Sequence, residues 1–176
     1  YQLWRVYDKM PTEQTYSIYW AGAENEEITV TGVGFDAGEK AVTSVTYNGK
    51  NNEARNITLR TNGLTNVTVN GYVGTTTGDV ISHYGSAGDV EVVKCASASF
   101  HIYGEVKGNV TVKQGHVAVE AGANVGIVTV PSDASNVNIT NKGTLTVVKA
   151  ESANVAVKNE GTIEVAVGSI TISGNS

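Results

Sequence analysis

Two twelve-residue stretches of this sequence share one pattern at an offset of 18 residues. Residues 136–147 read NVNITNKGTLTV, and residues 154–165 read NVAVKNEGTIEV. Each stretch is Asn-Val-x-Ile/Val, then a glycine, then Thr-Leu/Ile-x-Val: two short alternating segments joined through a glycine. Looser copies precede them, as NITL/NVTV from Asn56, DVIS/DVEV from Asp79, HIYG/NVTV from His101 and HVAV/IVTV from His116. Alternation puts one apolar face on each segment. A lone pair of four-residue strands can neither bury that face nor satisfy its own backbone, whereas coiling the chain so that each unit lies on the last does both.

Composition supports that reading. The 176 residues include 27 Val and 10 Ile but only 4 Leu, Leu3, Leu59, Leu64 and Leu145. β-branched side chains suit pleated surfaces, and leucine favours helices. Stacked units place equivalent residues in columns. The expected columns are Ile57, Val80, Ile102, Val117, Val137 and Val155 for the first segment, and Val67, Val90, Val110, Val128, Leu145 and Ile163 for the second. Asn56, Asp79, His101, His116, Asn136 and Asn154 precede the first segments, where αL turn geometry and side-chain-to-backbone bonds are expected.

Short Val/Ile strands with stacked Asn/Asp turns resemble the right-handed parallel β-helix of extracellular bacterial adhesins and polysaccharide-acting enzymes. The resemblance covers roughly 56–176. It implies an all-β solenoid of about six short rungs. The competing fold is an antiparallel sandwich, whose hairpins would use Asn-Gly turns. Asn48-Gly49, Asn62-Gly63 and Asn70-Gly71 are present, all before residue 72. Eight of the twelve aromatic residues fall in the first 50 positions. Residues 1–55 are therefore expected to form an aromatic-rich cap, with Trp4 and Trp20, and the first strands, within 27–35 and 42–50. Residues 56–176 carry the repeats of a single domain, expected to be a fragment of a longer protein. SITISGNS (169–176) still alternates, so the last rung is expected to pair with further rungs or with another chain, end to end.

Several functional classes lose support at this stage. One cysteine permits no internal disulfide and no Cys-based zinc motif. A net charge of −5 without Lys/Arg clusters argues against nucleic acid, and no apolar run suits membrane insertion. Nucleotide-binding and hydrolase motifs are absent, so neither cofactor nor catalytic residue is expected. Three constellations remain. Asp79, His101 and His116 share a turn column and, if stacked, offer imidazole and carboxylate ligands; exposed turn filler is the favoured reading, so no metal is expected. Asp79, Asp89, Glu91, Glu105 and Glu120 are candidate outward carboxylates, but no acid pair with a neighbouring His or Arg stands out. Tyr72, Tyr84 and Tyr103 are expected on one side of neighbouring rungs. A patch of Tyr84, His83, Phe100, His101 and Tyr103 is the best surface for a ligand, because tyrosine combines apolar area with a polar tip.

The resemblance and this patch together imply a non-catalytic bacterial module at the cell surface, presenting a rigid face to a host protein or glycan. A carbohydrate-active enzyme fragment, or a purely structural stalk, are the competing functions.

Overall fold

The computed structural model describes residues 15–19, 27–30, 44–49, 54, 56–59, 63–95 and 100–174. They form strands β1 Thr15–Tyr19, β2 Glu27–Val30, β3 Ser44–Asn48, β4 Asn56–Leu59, β5 Leu64–Asn70, β6 Val80–His83 and β7 Ser86–Lys94. The second half continues with β8 Phe100–Ile102, β9 Glu105–Val112, β10 Gln114–Val119, β11 Asn124–Val130, β12 Ser135–Asn141, β13 Thr144–Asn159 and β14 Thr162–Ser173. No helix occurs among the described residues, so none there is long and apolar enough to cross a membrane.

Every strand pairs in parallel with the strand two places on, odd with odd and even with even, up to β13. β13 then serves both series: Thr144–Ala150 pairs with β11, and Ala156–Asn159 pairs with β12. β14 lies along both halves of β13. The chain is a parallel β-solenoid of about six turns, with an odd-numbered and an even-numbered sheet enclosing one core. Parallel strands cannot be joined by tight hairpins, which rules out the sandwich. The Asn-Gly pairs have a different use here. Asn48 and Asn70 end β3 and β5, and the Asn70 amide donates to the Asn48 side-chain oxygen one turn below, at 3.3 Å. Gly49 N–H then donates to the Asn70 carbonyl at 2.8 Å.

Three columns, aliphatic except for Phe100, fill much of the core. In the odd sheet Val67, Val90, Val110, Val128 and Val148 stack in register, beside Leu64, Ala87, Val106, Val125, Leu145 and Ile163. In the even sheet Ile81, Phe100, Val117, Ile139, Val157 and Ile172 stack. One β-branched side chain per turn matches the strand spacing of ~4.8 Å, which is why Val and Ile prevail. The expected second-segment column is right from Val67 to Val128 and then slips, whereas the first-segment column fails at Val80, Ile102, Val137 and Val155, whose places beside Val117 go to Ile81, Phe100, Ile139 and Val157. Leu145 and Ile163 belong to the neighbouring column, and Val148 takes the expected place. Ile81 rather than Val80 points inward. The turns are also not uniform: register shifts fall between Ala87 and Val90 and between Val125 and Ile127. An extra residue re-sets which side chains face inward beyond it.

The turn column is also corrected. Asn136, at φ 54°, is the one non-glycine residue with positive φ among the described residues. The ladder that forms instead follows the even strands: Asn141 and Asn159 are buried, and the Asn141 amide donates to Asn159 Oδ1 at 2.9 Å. The aromatic cap with Trp4 and Trp20 lies outside the described residues. β2 and β3 fall within the two segments expected to begin the sheet, while β1 was not anticipated.

Candidate functional site

The site grows from the place where each even strand ends. The last residue of the strand points into the core, as His83, Ile102, Val119, Asn141 and Asn159 do, and the next turns outward. Backbone bonds fix those outward residues in a column: Tyr103 N–H donates to the His83 carbonyl, Glu120 to Ile102, Lys142 to Val119 and Glu160 to Asn141, all at 2.7–2.8 Å. Tyr84, Tyr103 and Glu120 are therefore neighbours along the solenoid axis. The rings of Tyr84 and Tyr103 stack with centroids 4.5 Å apart and planes 5° from parallel. Both remain exposed, at 43% and 38%. The rigid sheet spacing of ~4.8 Å, close to the centroid separation of a stacked ring pair, sets this geometry.

Beside the pair lies a polar cluster. His101 sits opposite Ser82 and Ala118 on the outer face of the even sheet. Its ring centroid is 6.1 Å from that of Tyr103. The small Ala118 leaves room over the next strand, so His101 reaches diagonally and Nδ1 meets Glu120 Oε2 at 2.7 Å. On β10, His116 Nε2 is bonded to Thr140 Oγ1 at 2.9 Å. Burial lowers the His116 pKa below the ordinary imidazole value; the nearby His101 also lowers it, and Glu120 opposes the shift. Loss of solvent raises the Tyr103 pKa above the usual phenol value, and the neighbouring Glu120 and Tyr84 raise it further. From His116 a shallow groove of ≈ 280 Å³ continues along the face, lined by Asn138, Thr140, Ala156, Lys158 and Ser173 among others.

Of the five residues expected to form the surface patch, three are brought together outside: Tyr84, His101 and Tyr103. His83 and Phe100 are inside, each with no exposed surface. β6 alternates from a point one residue away from that expected, which moves His83 into the core column, and Phe100 shares the inward face of β8 with Ile102, two residues on. Tyr72 is at the opposite corner, between β5 and β6, with its N–H donating to Asp79 Oδ2 at 2.6 Å. Asp79 is buried there, just before the start of β6, whereas His101 pairs with Ser82 towards the other end of that strand. Asp79, His101 and His116 do not stack, and no group of three metal-ligating side chains occurs among the described residues. The remaining carboxylates are spread out: Asp89 Oδ1 accepts from Asn109 N–H at 2.9 Å, and Glu91 pairs with Lys113 at 3.3 Å. Glu120 was a candidate carboxylate, but nothing in the sequence joined it to His101. His101 stacks on Ala118, two residues beyond the His116 that its place in the repeat suggests.

No protein-family model, curated protein or solved structure matches this chain. The class that the fold defines is the parallel β-solenoid.

Proposed function

We propose that this chain is a non-catalytic, extracellular binding module of bacterial adhesin type, and that the outer face of its even sheet receives a glycan. The observation that supports this most is the exposed Tyr84–Tyr103 stack beside the His101–Glu120 pair. Stacked rings present one outer ring face and two hydroxyl-bearing edges, on which the apolar side of a sugar can pack. His101, Glu120, His116, Thr140, Asn138 and Lys158 continue from it along the sheet, offering donors and acceptors to hydroxyls of an extended oligosaccharide. A sheet that is already ordered adds little entropic cost on binding.

The test is retention of the purified chain on an array of neutral and acidic oligosaccharides, repeated with Tyr84→Ala/Tyr103→Ala. Binding that falls at least tenfold in the double variant supports the reading. No retention of any glycan, or retention indifferent to the two tyrosines, would overturn it. The flatness of the face favours a second reading, a host protein as the ligand, which a pull-down lost in the same variant would support. Turnover of a polysaccharide by the chain would instead favour the carbohydrate-active enzyme class.

A further inference from the structure

His83 is the last residue of β6 and has no exposed surface. It occupies a core position otherwise held by Leu59 below it and Ile102 above it. Its ring makes one bond, from Nε2 to the Glu105 carbonyl at 3.3 Å. Because a carbonyl can only accept, Nε2 carries the proton, and the neutral ring leaves a bare lone pair on Nδ1. Nδ1 is buried and has no partner. A neutral imidazole tolerates this, but an imidazolium would present a second N–H, and a charge, with nothing to receive either.

The backbone of the same residue supports the binding face. The His83 carbonyl accepts from Tyr103 N–H at 2.8 Å and from Gly104 N–H at 3.1 Å. His83 thus joins three things at one point: a core side chain that cannot be charged in place, the anchor of the Tyr103 backbone, and the chain entering Tyr84.

We propose that His83 is an acid-sensitive latch beneath the Tyr84–Tyr103 pair: on protonation the end of β6 loosens from β8, and the tyrosine stack is released. The consequence for ligand binding rests on the function proposed above; the latch itself does not.

The titratable residues around His83 are few: β9 brings Glu105, whose carbonyl holds the ring, and the others lie on or beside β6 and β8. β4 and β8 pack against β6. β4, NITL, contains no titratable residue, and β8 contributes only His101, which lies outside and is bonded to Glu120. Asp79, just before β6, is held by Tyr72 N–H, and Tyr84, just after it, is exposed. The buried residues that β5 and β7 bring to the same core are apolar. Burial holds the His83 pKa below the ordinary imidazole value, with the Glu105 bond opposing in part. The sign follows. The unfolded chain takes up this proton near the ordinary value of ~6.5, whereas the folded chain resists it, so stability is complete above that pH and is lost as pH falls.

The test uses the ligand-free chain. Urea unfolding and amide exchange at Tyr103 and Gly104 are measured at pH 7.5 and 5.5, in the parent and in His83→Asn, which copies the neutral amide that Asn141 and Asn159 supply at this position in later turns. His83→Leu, which copies Leu59, is the second variant should the first not fold. The parent is expected to lose up to about tenfold in its folding constant per pH unit below the unfolded value. Protection at the two amides, corrected for intrinsic exchange, should fall with it, and both losses should be clearly smaller in the variants, which keep only the acid sensitivity of His116 and other groups away from β6. Equal acid sensitivity in parent and variants, or a His83 ring that titrates by NMR at or above the ordinary value in the folded parent, would overturn the latch. Since no ligand is present, failure of a glycan to bind would count against the proposed function alone.

Discussion

Asn141 donates to Asn159 across one turn of the solenoid at 2.9 Å, and both side chains are buried. The Asn141 amide also reaches the Thr162 carbonyl at 2.9 Å, and each side-chain oxygen accepts from the N–H of the glycine two residues on, Gly143 or Gly161, at 3.2 Å. These bonds satisfy a corner that would otherwise bury unpaired backbone. Leucine fills the same volume but satisfies none of it. Asn141→Leu is expected to destabilise the fold by about 1–3 kcal/mol, read as a lower urea midpoint with an unchanged slope. A variant as stable as the parent would show that the ladder contributes nothing.

That ladder also shows what the sequence exposes and what it hides. NVNITNKG and NVAVKNEG align by eye, so the repeat, the parallel strands and the aliphatic interior were all legible. Which asparagine turns inward was not. Asn136 and Asn154 begin the pattern and look like the turn residues, yet Asn141 and Asn159 are the buried pair. A period of two gives each residue only a parity, and one bulge reverses it. The same limit applies at the candidate site. Tyr103 reads as outward because Ile102 reads as inward, whereas His83, one parity step away from its expected face, lies in the core, and so does Phe100, which shares the face of Ile102. The His101–Glu120 pair needed the stacking register itself, which uneven loops concealed.

Gly115 adopts φ 113°, and a Cβ placed on it would collide with the Cys95 carbonyl and Sγ. The two effects add: an unfavourable backbone region, and a clash with rigid main chain. Gly115→Ala should cost about 1–3 kcal/mol or more, measured by thermal or urea unfolding. Gly122 has a similar φ of 88° but open space around it, so Gly122→Ala should cost less than Gly115→Ala. Equal losses would mean that backbone strain alone decides.

β14 pairs with β13 on one side and has no further paired strand among the described residues. Val165 and Val167 project from it at 48% and 46% exposure. An edge with alternating valines and little charge is prone to adding strands from other molecules. Val165→Lys/Val167→Lys should leave the urea midpoint nearly unchanged. It should raise the concentration at which light scattering by the 176-residue chain begins. Scattering unaffected by the two lysines would exclude this edge as the route.

The Tyr84–Tyr103 stack makes a prediction about ionisation that needs no ligand. Loss of solvent, the Glu120 carboxylate and the neighbouring phenol all oppose a negative charge on Tyr103. Its pKa should therefore lie above the ordinary ~10 in a pH titration followed by the ring resonances. Glu120→Gln removes one of the three influences and should bring the midpoint down. Tyr84→Ala removes another and also uncovers a ring face to water, so it should lower the midpoint further than Tyr84→Phe, which keeps the stacking surface. In all three variants Tyr103 N–H should stay bonded to His83, which slow amide exchange would show. A Tyr103 midpoint at the ordinary value in the parent would mean that the stack is open in solution, and the face would then have to order on binding.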